Sequence, residues 1–401
     1  CRSKNPNDVV PLNQIGQLFR ELNHLKVASI YFIKAIQLKP NSIRSNFNLA
    51  CTLIDMGIYN HAKNYLNKII KIDREYVKAH LKLGEMNFYL GFYDKGLYNF
   101  LHAVDIGKEL ELSFSLLNFY INYSPDMSAN EIFDYYKKYD HRFGLPLRSK
   151  WKSFPQPKTP KQRLRIGYVS PDFKQHSMQN FLMPTLSYHN HQKFEIFAFA
   201  ELKEEDKVSL EYKSHIDHWI RTEKMNDDRL VQKIRSLGID ILVDLAGHTK
   251  NNRLGVFAQK PAPVSLSWLG YGYTTGLSAI DYFLTDNVVV PEGSENLFSE
   301  QPWRLKQNYN FCCYQAKPDM GEVHPLPALA NNFVTFGSVS KNLRINNKVI
   351  AVWSSILKRV KNSKLLVNNF DMNNKEVKEI IIERFKLNNI NCNRLDFYYK
   401  T

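Results

Sequence analysis

The sequence is poor in cysteine. Five stand in 401 residues, at Cys1, Cys51, Cys312, Cys313 and Cys392, an odd number with no C-x-x-C spacing. That pattern excludes a disulfide framework and a structural zinc site, and a reducing, cytoplasmic compartment is the expectation. Long apolar runs are also missing. None approaches the ~20 residues that span a bilayer, and no charged-then-apolar signal segment opens the chain, so no membrane partner is expected. The first residue is Cys rather than Met. A processed lipoprotein also begins with Cys, but a stretch taken from a longer chain is the expectation.

Charge is plentiful. Lys and Arg number 54 against 39 Asp and Glu, a formal net charge of +15. Such a surplus favours polyanions or anionic small molecules. Part of it is local: Lys137, Lys138, Arg142, Arg148, Lys150, Lys152, Lys158, Lys161, Arg163 and Arg165 face one acid, Asp140. A solvated linker explains this run. Zinc-finger spacing and Gly-aromatic RNA-binding signatures are both absent, so no nucleic-acid partner is expected. Hydrophobic residues at 44% suffice for a sizeable core.

The first 110 residues repeat at an offset of 34. Gly16, Ala50 and Gly84 correspond, as do Ala28, Ala62 and Gly96, then Phe32, Leu66 and Phe100, then Ala35, Ile69 and Ala103. Gly57 and Gly91 fall at matching turns. This is the tetratricopeptide period of a helix-turn-helix unit. Small residues let paired helices approach, and the large apolar position fills the groove between units. One unit cannot bury its apolar face alone, so the units stack into a solenoid whose concave face is expected to bind a protein. Ser128-Ala-Asn-Glu131 reads as a capped helix start. The stretch Phe154-Pro-Gln-Pro-Lys-Thr-Pro160 reads as a linker.

The period then changes. Strands are expected over 164–170, 194–200, 240–245, 264–269 and 281–284, with helices over 180–188 and 229–237. Alternating strands and helices imply a parallel, doubly wound sheet. Ligands of such sheets sit beyond the carboxyl ends of the strands. That selects three loops: Ser170-Pro-Asp-Phe-Lys-Gln-His-Ser177, Ala246-Gly-His-Thr-Lys250 and Gly270-Tyr-Gly-Tyr-Thr-Thr-Gly276. A second α/β unit follows, with strands over 333–336, 364–367 and 394–399 and helices over 349–360 and 375–387. Three strands are few for a doubly wound sheet, so this lobe is expected to be cut short or completed by something outside the chain.

The order of repeats, Pro-rich linker, Arg-Ile-Gly-Tyr-Val-Ser-Pro-Asp-Phe173 with His176, Asp-Leu-Ala-Gly-His-Thr249, Trp-Leu-Gly-Tyr271 and Thr-Thr-Gly276 closely resembles bacterial members of the protein O-GlcNAc transferase family. The resemblance runs from about residue 9 to the end and is most specific over 164–286. It implies a tetratricopeptide solenoid followed by the two Rossmann-like lobes of a B-type glycosyltransferase. It implies transfer of a sugar, typically from UDP-GlcNAc, to Ser or Thr hydroxyls with inversion, with no cofactor and no catalytic metal. Four segments follow: repeats over 1–110, a helical extension and basic linker over 111–160, an N-terminal catalytic lobe over 161–325, and the start of a nucleotide-sugar-binding lobe over 326–401.

Residue by residue, the resemblance gives His176 an active-site place, where a His near neutral pKa can take an alcohol proton or simply orient. It sets His248 and Thr249 at a second substrate-binding loop, and Leu269, Gly270 and Tyr271 beside the sugar and acceptor peptide. Arg344 stands where the family has a Lys at the donor diphosphate, and Gly272 stands for a usual Pro. The family's nucleotide loop, of the type Asp-Thr-Phe-Pro-Tyr-Asn-Gly, does not occur in these residues. Weak activity is therefore expected of this stretch, and activity is expected of its full-length parent. Two alternatives stay open: a Spindly-type O-fucosyltransferase using GDP-fucose, and a non-catalytic repeat scaffold with a decayed transferase lobe.

Overall fold

The computed structural model describes residues 8–108, 110–154, 162–306, 309–314 and 321–399. Most of the Pro-rich stretch lies outside these. The chain forms two compact units that cut across its order. One comprises Cys1–Ser113, Tyr120–Asp126 and Glu322–Thr401, the other Phe114–Phe119 and Met127–Gly321.

The first unit opens with three antiparallel helix pairs: α1 (Val10–Glu21) with α2 (Leu25–Leu38), α3 (Ile43–Asp55) with α4 (Tyr59–Ile72), and α5 (Val77–Tyr89) with α6 (Tyr93–Ile106). The 34-residue period explains the pairing. A Cβ at Gly16 would stand 2.6 Å from the Phe32 ring, and one at Gly84 would stand 3.0 Å from that of Phe100. Phe32, Leu66 and Phe100 are fully buried. The turns at Gly57 and Gly91 have φ of +74° and +75°, a conformation glycine enters at no steric cost.

Two further helices follow, α7 (Glu111–Ile121) and α8 (Ala129–Tyr139). The expected cap on α8 is present: the Ser128 N–H donates to Glu131 Oε2 at 2.8 Å, and the Glu131 N–H donates to Ser128 Oγ at 3.3 Å.

In the second unit the chain runs β1 (Leu164–Ser170), α9 (Gln179–Ser187), β2 (Phe194–Ala200), α10 (Lys207–Lys213), β3 (His218–Arg221), α11 (Asp227–Ser236), β4 (Ile241–Asp244), α12 (Leu254–Phe257), β5 (Val264–Ser267), β6 (Tyr282–Thr285) and β7 (Gln301–Arg304). The strands form one sheet, ordered β3-β2-β1-β4-β5-β6-β7. Every pairing is parallel, with Ile166 opposite both Ile196 and Ile241. The edge strands β3 and β7 escape a reading by hydrophobic pattern. Their sequences, His-Trp-Ile-Arg and Gln-Pro-Trp-Arg, are largely polar or carry a Pro, which an edge tolerates.

The rest of the first unit is α13 (Pro327–Asn331), β8 (Val334–Ser338), α14 (Asn347–Arg359), β9 (Ser363–Asn368), α15 (Lys375–Leu387) and β10 (Leu395–Tyr398), in a parallel sheet ordered β10-β9-β8. This small sheet shares a core with the repeats. Leu66, Ile69 and Leu83 belong to the same buried cluster as Ile350, Leu365, Ile381 and Phe385. Polar bonds fix the join. Asn374 Nδ2 donates to the Gly57 carbonyl at 2.8 Å, and Arg384 donates to the Leu90 and Gly91 carbonyls at 2.8 and 3.0 Å. Arg384 thus satisfies the orphan carbonyls at the end of α5. The three strands find cover on the chain's own repeats.

The basic run is largely neutralised where the structure describes it. Lys137 pairs with Asp134, Lys150 with Asp228, Arg163 with Asp217 and Arg165 with Glu195. Such exposed pairs add little stability. Among the described residues no helix is long and apolar enough to cross a membrane.

The Gly84 contact sets a test. Gly84→Val should destabilise the repeats by about 1–3 kcal/mol through overpacking against Phe100. Gly272→Ala, with nothing within 4 Å of the added Cβ, should stay within ~0.5 kcal/mol of the wild type. Urea unfolding followed by helical circular dichroism checks both, and equal midpoints would refute the packing account.

Candidate active site

The strand order defines where a ligand can sit. The chain steps from β1 to β2 to β3 on one side, then returns to lay β4 on the other side of β1. The crevice of such a sheet opens at that reversal, between the loops that follow β1 and β4. The loop after β5 lies next to them.

The β1 loop is held from beneath. Phe173 is fully buried, with its ring centroid 5.4 Å from Tyr212 and 5.5 Å from Trp219. Ser209 Oγ donates to the Phe173 carbonyl at 2.8 Å, and the Gln175 N–H donates to Asp206 Oδ2 at 2.7 Å. His176 stands on this fixed backbone with its side chain 45% exposed. Its Nδ1 accepts the Met178 N–H at 3.3 Å and lies 3.9 Å from Asp172 Oδ2. Because Nδ1 accepts a backbone proton, the tautomer that fits this bond carries its proton on Nε2, a donor. Burial raises the Asp172 carboxyl above the usual range, and His176 and Lys174 oppose the shift.

The β4 loop turns on Asp244, a buried carboxylate that accepts from the Ala246 N–H at 3.1 Å, the Gly247 N–H at 2.9 Å and Ser267 Oγ at 2.9 Å. Burial pushes its carboxyl up and those three bonds pull it down. His248 follows and is 2% exposed. Its Nε2 lies 2.8 Å from the Thr275 carbonyl, and its Nδ1 lies 2.9 Å from Ser115 Oγ. A carbonyl only accepts, so Nε2 carries the proton and Nδ1 accepts from the serine. Asn252 Nδ2 in turn donates to Ser115 Oγ at 3.0 Å. The ring is boxed edge-on by Tyr136, Tyr139 and Tyr271, at centroid distances of 5.3, 4.7 and 5.7 Å. Burial pushes His248 down to about 4, against the Thr275 bond.

Both ring nitrogens of His248, expected at a substrate-binding loop, are engaged inside the protein. Thr249 is half-buried and donates its hydroxyl proton to the Ala246 carbonyl at 2.7 Å, which leaves it oxygen lone pairs only.

The β5 loop packs against the β4 loop. A Cβ at Gly270 would collide with the Leu245 carbonyl, and one at Gly247 with the Tyr271 side chain. Gly270 thus permits a close approach to the protein's own backbone. Tyr271 is buried too. Its hydroxyl lies 2.5 Å from that of Tyr136 and donates to the Asn118 carbonyl at 3.2 Å. It props the loop from inside. Leu269 is half-buried and adopts φ +66°, a strained value for a residue with a side chain. Beyond it, Glu300 is buried and accepts from the Thr275 N–H at 2.8 Å and from the hydroxyls of Thr274 and Thr275. Burial raises its carboxyl and these bonds lower it.

His176 and the β4 and β5 loops thus gather at one edge of one sheet. Arg344 is exposed on a short turn, Asn342–Arg344, of the first unit. Sequence reading missed Asp244, Glu300, Ser115 and Asn252. Asp244 sits in the Asp-Leu-Ala-Gly-His-Thr run and its strand-end position was a signal. Ser115 gave none, since it reaches His248 only through tertiary folding.

The profile of Glycosyl transferase family 41 matches residues 147–313, and that of the tetratricopeptide repeat matches residues 11–42 and 43–76. The segment that the family 41 profile matches holds His176, His248, Thr249, Leu269, Gly270 and Tyr271, while Arg344 lies beyond it. The chain is 36% identical over 251 residues to a probable UDP-N-acetylglucosamine–peptide N-acetylglucosaminyltransferase SPINDLY of Hordeum vulgare, covering 62% of this chain and 26% of that protein. It is 35% identical over 143 residues to a UDP-N-acetylglucosamine–peptide N-acetylglucosaminyltransferase of Caenorhabditis elegans, covering 35% of this chain and 12% of that one. It spans about a quarter of the length of the SPINDLY relatives it matches. Its fold matches a mutant O-GlcNAc transferase of Thermobaculum terrenum at a TM-score of 0.87 and 23% identity, over 100% of this chain and 76% of that one.

His248 carries a pH test. The unfolded chain takes up its proton near 6.5 and the folded chain only near 4. Above 6.5 the ring is neutral in both states and adds no pH dependence. As pH falls from 6.5 to about 4 the unfolded state binds more protons, so stability falls, by at most about 1.4 kcal/mol per pH unit. His248→Gln should lose that one-proton slope relative to the wild type in urea unfolding across this window. Parallel slopes would show that the ring is not buried neutral.

Proposed function

We propose that the chain is part of a protein glycosyltransferase that moves GlcNAc from UDP-GlcNAc onto Ser or Thr hydroxyls of protein acceptors, with inversion. The observation that carries this reading is His176. Within the family 41 segment it is the one titratable ring that combines a fixed backbone, a place at the sheet's reversal point and an exposed nitrogen. The repeats supply the acceptor-binding surface, and the names of the relatives support the donor.

In the reaction an acceptor oxygen attacks the anomeric carbon as the bond to the UDP oxygen breaks, and the hydroxyl proton passes to the released diphosphate or to water. With Nδ1 held by the Met178 N–H, His176 offers Nε2–H and so orients an oxygen by hydrogen bonding. Service as a base needs the other tautomer, its Nδ1–H turned to Asp172. The geometry therefore favours orientation over proton abstraction. Arg344 supplies a permanent, planar cation to offset charge on the departing diphosphate.

The test is transfer by the full-length gene product, with labelled UDP-GlcNAc beside GDP-fucose and a protein extract as acceptor. Label from UDP-GlcNAc on Ser or Thr upholds the reading. Label from GDP-fucose moves it to the sister activity, and label from neither leaves a repeat scaffold. Arg344→Ala should lower kcat about 10²-fold, and Arg344→Lys should change turnover more than donor affinity. Equal changes in both constants would sink the leaving-group role.

A further inference from the structure

The short turn that carries Arg344 has little to hold it from within. It is a single 3-10 turn, closed by the Arg344 N–H to the Lys341 carbonyl at 3.0 Å and the Ile345 N–H to the Asn342 carbonyl at 2.9 Å. Turns of this length have poor hydrogen-bond geometry and take their shape from their surroundings. Here the surroundings are the third repeat.

Asn342, 2% exposed, donates through Nδ2 to the Tyr89 carbonyl at 2.5 Å, at the end of α5. Tyr89 returns a bond to the same module, its hydroxyl donating to Asp371 Oδ1. The other oxygen of Asp371 accepts the Asn342 N–H at 3.3 Å. Tyr93, the first residue of α6, donates its hydroxyl to the Leu343 carbonyl at 2.9 Å. Ile345 closes the turn with its side chain buried in the shared core. Asn342, Leu343 and Ile345 are therefore all tied down, and Arg344 is the residue of the turn left exposed. The clamp reaches the turn from both sides of the Gly91 bend.

The repeat pattern does not require this chemistry. Tyr59 stands 34 residues before Tyr93 at the start of α4, where its ring lies 5.4 Å from that of Tyr89 and its hydroxyl bonds the Tyr89 hydroxyl. The hydroxyls of Tyr89 and Tyr93 are spent on the second α/β module, and burial raises both well above the ordinary tyrosine range, so both stay protonated donors.

We propose that Tyr89, Tyr93 and Asp371 are positioning residues that fix the Asn342–Arg344 turn, which makes the third repeat a working part of the donor-binding module. The proposal rests on the reading of Arg344 as the cation at the leaving diphosphate.

Two measurements separate this proposal from that reading. In the 401-residue chain, Tyr93→Phe removes one hydroxyl and keeps the ring. Amide hydrogen exchange at Arg344 and Ile345 should rise about tenfold while α5 and α6 keep their protection. Asp371→Asn, which weakens the clamp from the other side, should do the same. Unchanged exchange in both variants overturns the proposal whether or not any sugar is transferred. In the full-length gene product, Tyr93→Phe should lower kcat ~5-fold with donor KM within ~2-fold, and should have no further effect on top of Arg344→Ala. Full additivity of the two kcat losses overturns it as well. Faster exchange at the turn in a protein that transfers no sugar upholds the positioning and sinks the catalytic reading of Arg344.

Discussion

The second unit depends on a neutral imidazole. His248 donates through Nε2 to the Thr275 carbonyl and accepts through Nδ1 from Ser115, which itself accepts from Asn252. This line ties the segment Phe114–Phe119 to the loops after β4 and β5. Glu300 extends it by holding Thr274 and Thr275. An added proton on Nδ1 would face a serine oxygen that already serves as the donor, in a box of three tyrosine rings. Water cannot compensate there, so charge would break the line, and burial keeps the ring neutral. A rigid pair of loops beside the sheet's reversal point is the result, and His176 stands half-exposed on the loop that follows β1.

The first unit solves a different problem. Its parallel sheet of three strands has too little surface to bury alone. The repeats have the complementary need, since stacked helix pairs leave apolar surface uncovered. The two share one cluster, and Asn374 and Arg384 bond the carbonyls at the repeat turns. The tetratricopeptide segment is therefore part of a shared core. Its turns also support the module that carries Arg344.

Much of the fold was legible in the sequence, for physical reasons. The helix pairs were readable because Gly16, Gly84 and their facing Phe32 and Phe100 recur at a fixed period, and the period is the packing. The central strands were readable because buried parallel strands must be continuously apolar. Edge strands β3 and β7 were not, because one open side frees them from that rule. The site was half legible. His176 could be found from its loop at a strand end. His248, Gly270 and Tyr271 were found by the same logic but serve the scaffold, since a strand-end loop must satisfy its own buried polar groups as well as any ligand. Ser115, Asn252 and Glu300 were beyond reach, because their partners lie 25 or more residues away in sequence.

The protonation state of His248 tests this account most directly. Nitrogen-15 chemical shifts of the His248 ring, followed by NMR between pH values of about 5 and 8, distinguish a protonated from a bare ring nitrogen. The account predicts Nε2 protonated and Nδ1 bare throughout, with no titration. A ring that titrates near the ordinary histidine value would contradict it, and would return His248 to solvent and to the reach of a substrate.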